Sequence, residues 1–279
     1  MITEKQRERA EIFSNMHKEG KMFVLPNAWD AGSAVVFERA GFAAVATSSA
    51  GIAYALGCPD GEIITFGELL YVVERMAHRI GIPLSVDVER GYAETPEGVK
   101  ENTKKLLEAG AVGFNIEDGL PDGTLSPLDF QLGKIAALVE LKRETGLDFV
   151  INARTCAYWL NVAGEAGNLE IALERGNAFA GAGADCVYVP GALGEETVAK
   201  LARGIKAPLN VILNGAFHDF RKLDKLGVRR ISVGSSPARF IYGQAIEMSR
   251  ALSAGDPSPL LGTEFSYAAA NKFFSQNYC

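Results

Sequence analysis

Eight short apolar runs alternate with longer segments of helical periodicity along this chain of 279 residues. Strands that alternate with helices usually form a parallel sheet, because each helix carries the chain back to the same end of the sheet. Repeated units of this kind predict an α/β fold of the (β/α)8, or TIM, barrel type. The runs interpreted as strands span residues 22–28, 43–47, 84–88, 112–116, 149–153, 186–189, 209–213 and 228–233.

Residues 1–279 are predicted to form a single domain, because no shift in composition marks a boundary. We expect an N-terminal helix, a barrel core over about 22–243 and a C-terminal helical extension over about 244–279. A doubly wound open sheet is the alternative fold. It usually carries a G-x-G-x-x-G phosphate loop after its first strand, whereas this chain has Pro26-Asn27-Ala28-Trp29 there.

The composition excludes several classes of protein. With 48% apolar and 22% charged residues, the chain can bury a large core. A net charge of −6 and a pI near 5.3 disfavour nucleic acid as a partner. No apolar run approaches the ~20 residues that cross a bilayer, so no membrane partner is expected. A charged N-terminal segment and four scattered cysteines predict a cytoplasmic protein with reduced thiols.

The third predicted strand ends in two acidic residues. Leu84, Val86 and Val88 alternate with polar residues, which places Asp87 and Glu89 on one face of a strand, about 7 Å apart along it. Two such carboxylates repel each other unless a cation or a proton lies between them. Mg²⁺ is the usual ion at such a pair, although a solvated acidic turn would carry the same residues.

The ends of the other predicted strands are also polar, and in a barrel of this type such ends converge on the catalytic site. The histidines lie elsewhere: His17 and His78 on predicted helices, and His218 beyond the seventh strand. A zinc site would therefore lack imidazole ligands, and Schiff-base chemistry would lack an amine. The acids suit Mg²⁺ or Mn²⁺, and an arginine suits a substrate that is a small anionic carboxylate. The strand-end residues are Ser48, Ser49, Glu117, Asp118, Arg154 and Asn214.

Several motifs, in order and at predicted strand ends, make the sequence similar to the isocitrate lyase / phosphoenolpyruvate mutase superfamily. The resemblance covers most of the chain, from Leu25 to Gly243. Within that superfamily the sequence resembles a phosphonomutase-like, carboxyvinyl-carboxyphosphonate phosphorylmutase-like or oxaloacetate decarboxylase-like member. The motifs are Val24-Leu25-Pro26-Asn27-Ala28-Trp29-Asp30, Thr47-Ser48-Ser49-Ala50-Gly51, Gly57-Cys58-Pro59-Asp60-Gly61, Val86-Asp87-Val88-Glu89-Arg90-Gly91-Tyr92, Asn115-Ile116-Glu117-Asp118 and Asn152-Ala153-Arg154-Thr155.

The resemblance implies a Mg²⁺ site, with Mn²⁺ as a substitute. Asp87 would bind the ion directly, and Glu89, Asp60 and Glu117 would complete its surroundings, largely through water. Glu117 is also assigned to catalysis. The chemistry that the resemblance implies makes or breaks a C–C or P–C bond beside a 2-oxo acid, through an enolate of pyruvate or a relative.

The resemblance also assigns the substrate-binding residues. Ser48, Ser49 and Ala50 would bind the substrate carboxylate through a hydroxyl and backbone amides. Arg154 would stabilise the charged group that is cleaved or transferred. Asn214, at the end of the seventh predicted strand, joins the substrate-binding residues.

Departures from the superfamily pattern narrow the expected reaction. The loop 119–127 lacks the cysteine, lysine and histidine with which isocitrate and methylisocitrate lyases act, and Gly119 replaces the lysine common in mutases and phosphonopyruvate hydrolases. Glu89 replaces a commoner aspartate. Cys58 and Cys156 lie near the expected pocket. We expect both to be unreactive packing residues, because the sequence shows no neighbouring cation that would lower the pKa of their thiols.

We therefore expect a Mg²⁺-dependent enzyme of the lyase or decarboxylase type, acting on a small 2-oxo or 2-hydroxy carboxylate. A phosphonomutase or phosphonopyruvate-type enzyme acting on a P–C bond is the alternative. A keto-acid-binding barrel without activity is the third hypothesis. The superfamily commonly exchanges a C-terminal helix between subunits, and residues 267–274 are apolar enough to do so, which predicts a homodimer or homotetramer.

Overall fold

The strands of the chain form one parallel sheet that curves round into a barrel, as the computed structural model of residues 2–262 and 264–275 shows. The first predicted strand is divided at Pro26. Its first half pairs with the last strand and its second half pairs with the next strand in the chain. The strands are β1 (Phe23–Leu25), β2 (Asn27–Ala28), β3 (Val45–Thr47), β4 (Leu84–Asp87), β5 (Gly113–Glu117), β6 (Val150–Arg154), β7 (Cys186–Val189), β8 (Leu209–Ile212) and β9 (Val228–Ser232).

The side chain of Asn27 joins the two sides of this division. Its Nδ2 donates to the carbonyl of Thr47 at 2.7 Å, and its Oδ1 accepts from the backbone amides of Val233 and Gly234 at 2.9 Å each. One amide side chain thus links the end of β3 to the end of β9. The predicted (β/α)8 barrel class is confirmed.

Helices surround the barrel and begin at the residues that favour helix starts. The Thr65 side chain accepts from the amide of Glu68, and the Glu68 carboxylate accepts from the amide of Thr65, which forms a capping box. The helices are α1 (Glu4–Lys18), α2 (Ala31–Arg39), α3 (Ser49–Ala55), α4 (Phe66–Ala77), α5 (Pro96–Glu108), α6 (Leu128–Thr145), α7 (Ala157–Leu160), α8 (Gly164–Gly181), α9 (Glu195–Gly204), α10 (Phe220–Lys225), α11 (Ser236–Ser253), α12 (Ser258–Leu261) and α13 (Tyr267–Ser275).

The N-terminal helix closes the bottom of the barrel, at the amino ends of the strands. The Gln6 side chain donates to the carbonyls of Leu107 and Ala111 at 2.7 and 3.0 Å, and Phe13 is fully buried. A Cβ atom at Gly113 would lie 2.6 Å from the Phe13 ring, so only glycine allows this approach. The helix α1 therefore covers the amino ends of the strands, opposite the strand ends that carry the predicted site.

The inside of the barrel is polar, while the apolar core lies between the sheet and the helices. Asn152 donates to Asn115 at 2.5 Å, and Asn210 donates to Ser232 at 3.1 Å. Residues at alternate positions, such as Ile116 and Val187, face the helices and are fully buried. A polar interior leaves room for a ligand to enter from above.

The C-terminal segment lies against the outside of the barrel. The Arg39 guanidinium stands 4.5 Å from the ring of Phe273 on α13, while Tyr267 stays 86% exposed. The predicted C-terminal helical extension, about 244–279, contains α13, while Thr263 and residues 276–279 lie outside the described residues. Exchange of this helix between subunits, and the single-domain limits of 1–279, stay predictions. Within the described ranges, no helix is both long and apolar enough to cross a membrane.

Candidate active site

A cavity of about 730 Å³ opens at the carboxyl ends of the barrel strands. It lies where polar strand ends were expected to converge, and residues from distant parts of the chain line it. Both the predicted acid at the end of β4 and the predicted arginine at the end of β6 face it. The predicted site residues that line the cavity are Ser48, Ser49, Ala50, Asp60, Asp87, Arg154 and Asn214.

Asp87 is held firmly at the end of β4. Its backbone amide donates to the hydroxyl of Thr47 at 2.8 Å. Its Oδ1 accepts from Asn115 Nδ2 at 3.4 Å and from the amide of Glu89 at 3.3 Å. Because Asn115 is in turn fixed by Asn152 at 2.5 Å, a line of buried amides sets the direction of this carboxylate.

Glu89 interacts with the acidic cluster of Asp60, Asp87 and Glu117, but its backbone does not follow the strand alternation that its spacing predicts. The strand β4 stops at Asp87, and Glu89 adopts a left-handed conformation with φ of 49° instead of continuing the alternation. Its Oε1 accepts from the Tyr92 hydroxyl at 3.1 Å. Glu89 is 5% exposed and stands behind the cavity lining rather than in it.

Glu117 also stands behind the lining, paired with Arg154. The two residues are register partners on β5 and β6, and Arg154 Nη1 lies 2.7 Å from Glu117 Oε2. The guanidinium carbon is 5.7 Å from the ring centroids of both Trp159 and Tyr188, within the range of a cation–π contact. The Arg154 side chain therefore has a fixed position at the cavity wall.

Three acids near Asp87 hold protons more tightly than isolated carboxylates do, because the pKa of each is raised. Burial raises the pKa of Glu89 to about 8, and the charges of Asp87 and Asp60 add to the effect. Burial raises the pKa of Glu117 to about 7 although Arg154 opposes the shift. Desolvation and the charge of Asp87 also raise the pKa of Asp60. Crowded carboxylates of this kind favour a bound cation.

The carboxylate oxygens at the cavity fit a hydrated Mg²⁺ better than a metal ion whose ligands all come from the protein. Among residues 2–262 and 264–275, no three His, Cys, Asp or Glu side chains form a ready-made metal cage. Mg²⁺ prefers hard oxygen ligands, keeps several waters and commonly takes one or two carboxylates. Asp87, which faces the cavity with buried acids behind it, meets that requirement.

The segment after β3 forms a helix that its sequence did not indicate. The Ser48 hydroxyl accepts from the amide of Gly51 at 3.1 Å and starts α3 at Ser49, so the amides of Ser49 and Ala50 lie in a first helical turn. The Ser49 hydroxyl also hydrogen-bonds to the Asp60 carboxyl. The small residues of Ser48-Ser49-Ala50-Gly51 give no helical pattern, so the sequence alone does not indicate this helix.

Two of the predicted strand-end residues are engaged elsewhere. Asn214 lines the cavity, but its Oδ1 accepts from the amides of Ala216 and Phe217 at 2.8 and 3.1 Å, so the side chain shapes its own loop. Asp118 does not face the cavity. It is fully buried and pairs with Arg175 at 3.0 Å.

Arg175 extends this interaction to the loop after β5. Its Nη2 donates to the carbonyl of Ser126 at 2.8 Å, and the amide of Cys156 donates to Asp118 at 2.7 Å. Burial raises the pKa of the Cys156 thiol, which supports its reading as a packing residue. The loop 119–127 is thus tied down by a buried ion pair.

The sequence interpretation missed two basic residues that line the cavity, Arg239 near the mouth and Arg230 inside the barrel, and it set aside His218, which also lines the cavity near the mouth. Arg230 lies on β9 at a position that faces inward, two residues before Ser232. The pair Arg229-Arg230 within an apolar run was the available signal, because one of two successive strand residues must face inward.

Comparison with known proteins agrees with this architecture. The family model described as phosphoenolpyruvate phosphomutase matches residues 13–253. An uncharacterised protein of Mycobacterium tuberculosis is 33% identical over 247 residues, which cover 88% of this chain and 91% of that protein. An oxaloacetate decarboxylase of Rhodopseudomonas palustris is 28% identical over 212 residues, covering 72% of this chain and 70% of that enzyme.

A solved structure adds a similarity in three dimensions. The crystal structure of a candidate lyase/mutase from Burkholderia cenocepacia superposes with a TM-score of 0.90 at 32% identity, and the match covers 97% of this chain and 98% of that one. The family match, the barrel fold and the residues at the strand ends all indicate the same family. The chain belongs to the phosphoenolpyruvate phosphomutase family, within the phosphoenolpyruvate mutase / isocitrate lyase superfamily of lyases and mutases.

Proposed function

We propose that this protein is a Mg²⁺-dependent lyase of the decarboxylase type that acts on a small 2-oxo or 2-hydroxy carboxylate. The observation that carries the proposal is that Asp87, at the end of β4, and Arg154, at the end of β6, line one cavity. An acid that can bind a cation and a guanidinium that can bind an anion thus line the same cavity, so a substrate bound between them would be polarised by both.

Asp87, supported by Asp60, Glu89 and Glu117, would hold the ion. Bound Mg²⁺ would act as a Lewis acid toward the 2-oxo or 2-hydroxy oxygen of the substrate. The amides of Ser49 and Ala50 and the Ser48 hydroxyl would bind the carboxylate next to that oxygen.

Arg154 would bind the group that leaves, and its two aromatic neighbours would keep the guanidinium in place during the reaction. Trp159 is 56% exposed and stands at the mouth, where a bound substrate would cover it. Together these residues would orient the bond to be broken between the cation and the guanidinium.

The position after Asp118 favours C–C over P–C chemistry. A Cβ atom at Gly119 would lie 3.0 Å from the Cys156 sulfur and 3.1 Å from its Cβ. A lysine there would therefore need the buried Cys156 to shift. Gly119 stands where the mutases and phosphonopyruvate hydrolases commonly have a lysine, and Cys156 leaves little space for a lysine side chain at this position.

A screen of pyruvate and CO₂ release from a panel of 2-oxo and 2-hydroxy acids, with and without Mg²⁺, tests the proposal. We expect Mg²⁺-dependent release from at least one C–C substrate such as oxaloacetate, and loss of release in Asp87→Asn. Glu174→Gln, on the exposed side of α8, is the matched control. Thermal stabilisation by oxalate without turnover would indicate a binding protein, and turnover of phosphonopyruvate alone would indicate a P–C enzyme.

A further inference from the structure

Residues with a left-handed backbone are concentrated beside the candidate cation site. Among residues 2–262 and 264–275, four residues other than glycine have a positive φ. Three of these are Glu62, Glu89 and Tyr92, with φ values of 60°, 49° and 53°. A side chain with a Cβ atom makes this conformation unfavourable, so other contacts must stabilise it. Such strained backbones occur most often at functional sites.

The carboxylate of Glu62 supplies these contacts by joining two loops. Its Oε1 accepts from the backbone amides of Arg90 and Tyr92 at 2.8 and 3.1 Å, and its Oε2 accepts from Arg90 Nη2 at 2.7 Å. We call these three hydrogen bonds the Glu62 clamp. The side chains of Glu62 and Arg90 are only 13% and 22% exposed, so water weakens this ion pair less than it weakens a pair at the surface.

One of the two loops carries Asp60 and is largely exposed. Among residues 56–63, which join α3 to α4, only Cys58 and Glu62 are partly buried. The Asp60 carboxyl is hydrogen-bonded to the Ser49 hydroxyl. Because Glu62 stands two residues after Asp60, the clamp limits where this loop, and with it the Asp60 carboxyl, can lie.

The other loop is the turn after β4, and Lys134 of α6 holds it from the opposite side. Lys134 is 2% exposed, and its Nζ donates to the carbonyls of Arg90 and Glu117 at 3.2 and 3.3 Å. The amide of Arg90 is thus bound by Glu62, and its carbonyl is bound by Lys134. The turn is therefore fixed through its backbone on both sides.

This turn determines where Glu89 lies. The backbone amide of Glu89 donates to Asp87 Oδ1 at 3.3 Å, and the charges of Asp87 and Asp60 act on its carboxyl. Glu89 Oε1 accepts from the hydroxyl of Tyr92, whose own amide is bound by Glu62. Loss of the clamp would allow the strained turn to relax, which would displace carboxylates on two sides of Asp87.

We propose that Glu62 and Arg90 are positioning residues for the cation site. The Glu62 clamp holds the loop of Asp60 against the turn of Glu89, so that both carboxylates stay close to Asp87. This inference rests on the proposed function, because it takes Asp87 as the residue that binds Mg²⁺. Residues that orient the surroundings of a metal ion affect its binding without contacting it. Mg²⁺ keeps several of its waters, and the carboxylates around those waters must therefore be well placed.

The affinity for Mg²⁺ distinguishes positioning from a simple effect of charge. If only charge matters, Glu62→Ala should weaken Mg²⁺ binding and Arg90→Met should strengthen it, because the two changes shift the local charge in opposite directions. Positioning predicts that both variants bind more weakly. We expect the Kd for Mg²⁺, measured by calorimetry, to rise about 10- to 100-fold in Glu62→Ala. The rise should be smaller in Arg90→Met, where both backbone amides still bind Glu62.

Asp185 provides a matched control at the opposite end of the barrel. It directly precedes β7, and its Oδ2 accepts from Lys142 Nζ at 2.6 Å and from the amide of Ile151 at 2.7 Å. Asp185→Ala therefore also removes a half-buried ion pair and a hydrogen bond to the backbone. Both alanine variants should have a lower Tm than the wild type, but Asp185→Ala should bind Mg²⁺ normally. Arg90→Met decides the question if Glu62→Ala does not fold.

Four results would overturn the inference in whole or in part. An unchanged Mg²⁺ affinity in Glu62→Ala or in Arg90→Met would remove that residue from positioning and leave the proposed function intact. Tighter binding in Arg90→Met would assign its effect to charge alone. Equal weakening in Asp185→Ala would assign the effect to a general loss of stability. Failure of the wild type to bind Mg²⁺ would remove both the inference and the metal dependence of the proposed function.

Discussion

Arg154 and Glu117 are register partners on adjacent strands, and their side chains form an ion pair of 2.7 Å at the wall of the cavity. The pair leaves Arg154 Nε without a hydrogen-bond partner among the described residues. A structural ion pair and a substrate-binding guanidinium are thus compatible, because Glu117 occupies only part of the donor fork.

Arg154→Lys separates these two roles. The variant keeps the charge but loses the planar fork. If Arg154 stabilises charge that develops during the reaction, kcat should fall roughly a hundredfold or more, the usual effect of losing one preorganised donor. Arg203→Lys, on the exposed part of α9, is the control. Full turnover in Arg154→Lys at saturating Mg²⁺ and substrate would restrict the residue to a structural role.

The stability of the protein should fall as the pH drops below about 6.5, in part because of His17. Burial and the charge of Arg230 lower the pKa of His17 from 6.5 to about 3, so between these values the unfolded state binds a proton that the folded state does not. The free energy of unfolding should then decrease by about 1.4 kcal/mol per pH unit for this residue. Urea unfolding at pH 7, 6 and 5 measures the slope.

His17→Gln supplies the comparison for that slope. The glutamine side chain does not titrate, so the variant should lose less stability than the wild type between pH 7 and pH 5. Equal slopes in the two proteins would mean that His17 is protonated in the folded state. Its contact with the carbonyl of Phe13, at 2.8 Å from Nδ1, would then be a bond from imidazolium.

Arg175→Met should strongly destabilise the protein, although the residue lies away from the cavity. The change leaves the fully buried Asp118 without its ion-pair partner, and breaking a buried pair in this way costs about 3–5 kcal/mol. Chemical unfolding of Arg175→Met and of the double variant with Asp118→Asn measures the effect. The double variant should recover much of the loss, and a change below about 1 kcal/mol in the single variant would contradict a buried pair.

The protein should assemble into a dimer or tetramer through its C-terminal helices. Phe240 on α11, Leu261 on α12 and Tyr267 on α13 are 66%, 79% and 86% exposed in the single chain. Exposed apolar residues on neighbouring helices favour burial against another subunit. Light scattering at micromolar concentration should give at least twice the mass of 29.9 kDa. A monomeric mass would show that these residues remain in water.

The features that local sequence determines were predicted well. Thr65 and Glu68 lie three residues apart and form their capping box within one helical turn, so spacing alone indicates it. The strand β7 was placed at its observed residues, 186–189, because four apolar residues stand between a glycine-containing turn and Pro190. The barrel class followed from the regular alternation of such elements.

Features that depend on contacts between distant residues could not be predicted in this way. The left-handed turn at Glu89 keeps that residue off the cavity lining, and Asp118 turns toward Arg175, which is 57 residues away in sequence. Alternation along β9 indicates that one of Arg229 and Arg230 faces inward, but the sequence alone does not say which of the two does so. Spacing along the chain contains no information about the partners of Glu89 and Asp118.

Titration of Mg²⁺ into wild-type protein and Asp87→Ala by calorimetry tests the central claim most directly. Asp87 lies at a strand end, so its removal should leave the fold, and the circular dichroism spectrum, nearly unchanged. The account predicts that the wild type and the control Glu174→Gln bind Mg²⁺ and that Asp87→Ala does not. An unchanged affinity for Mg²⁺ in Asp87→Ala would contradict it.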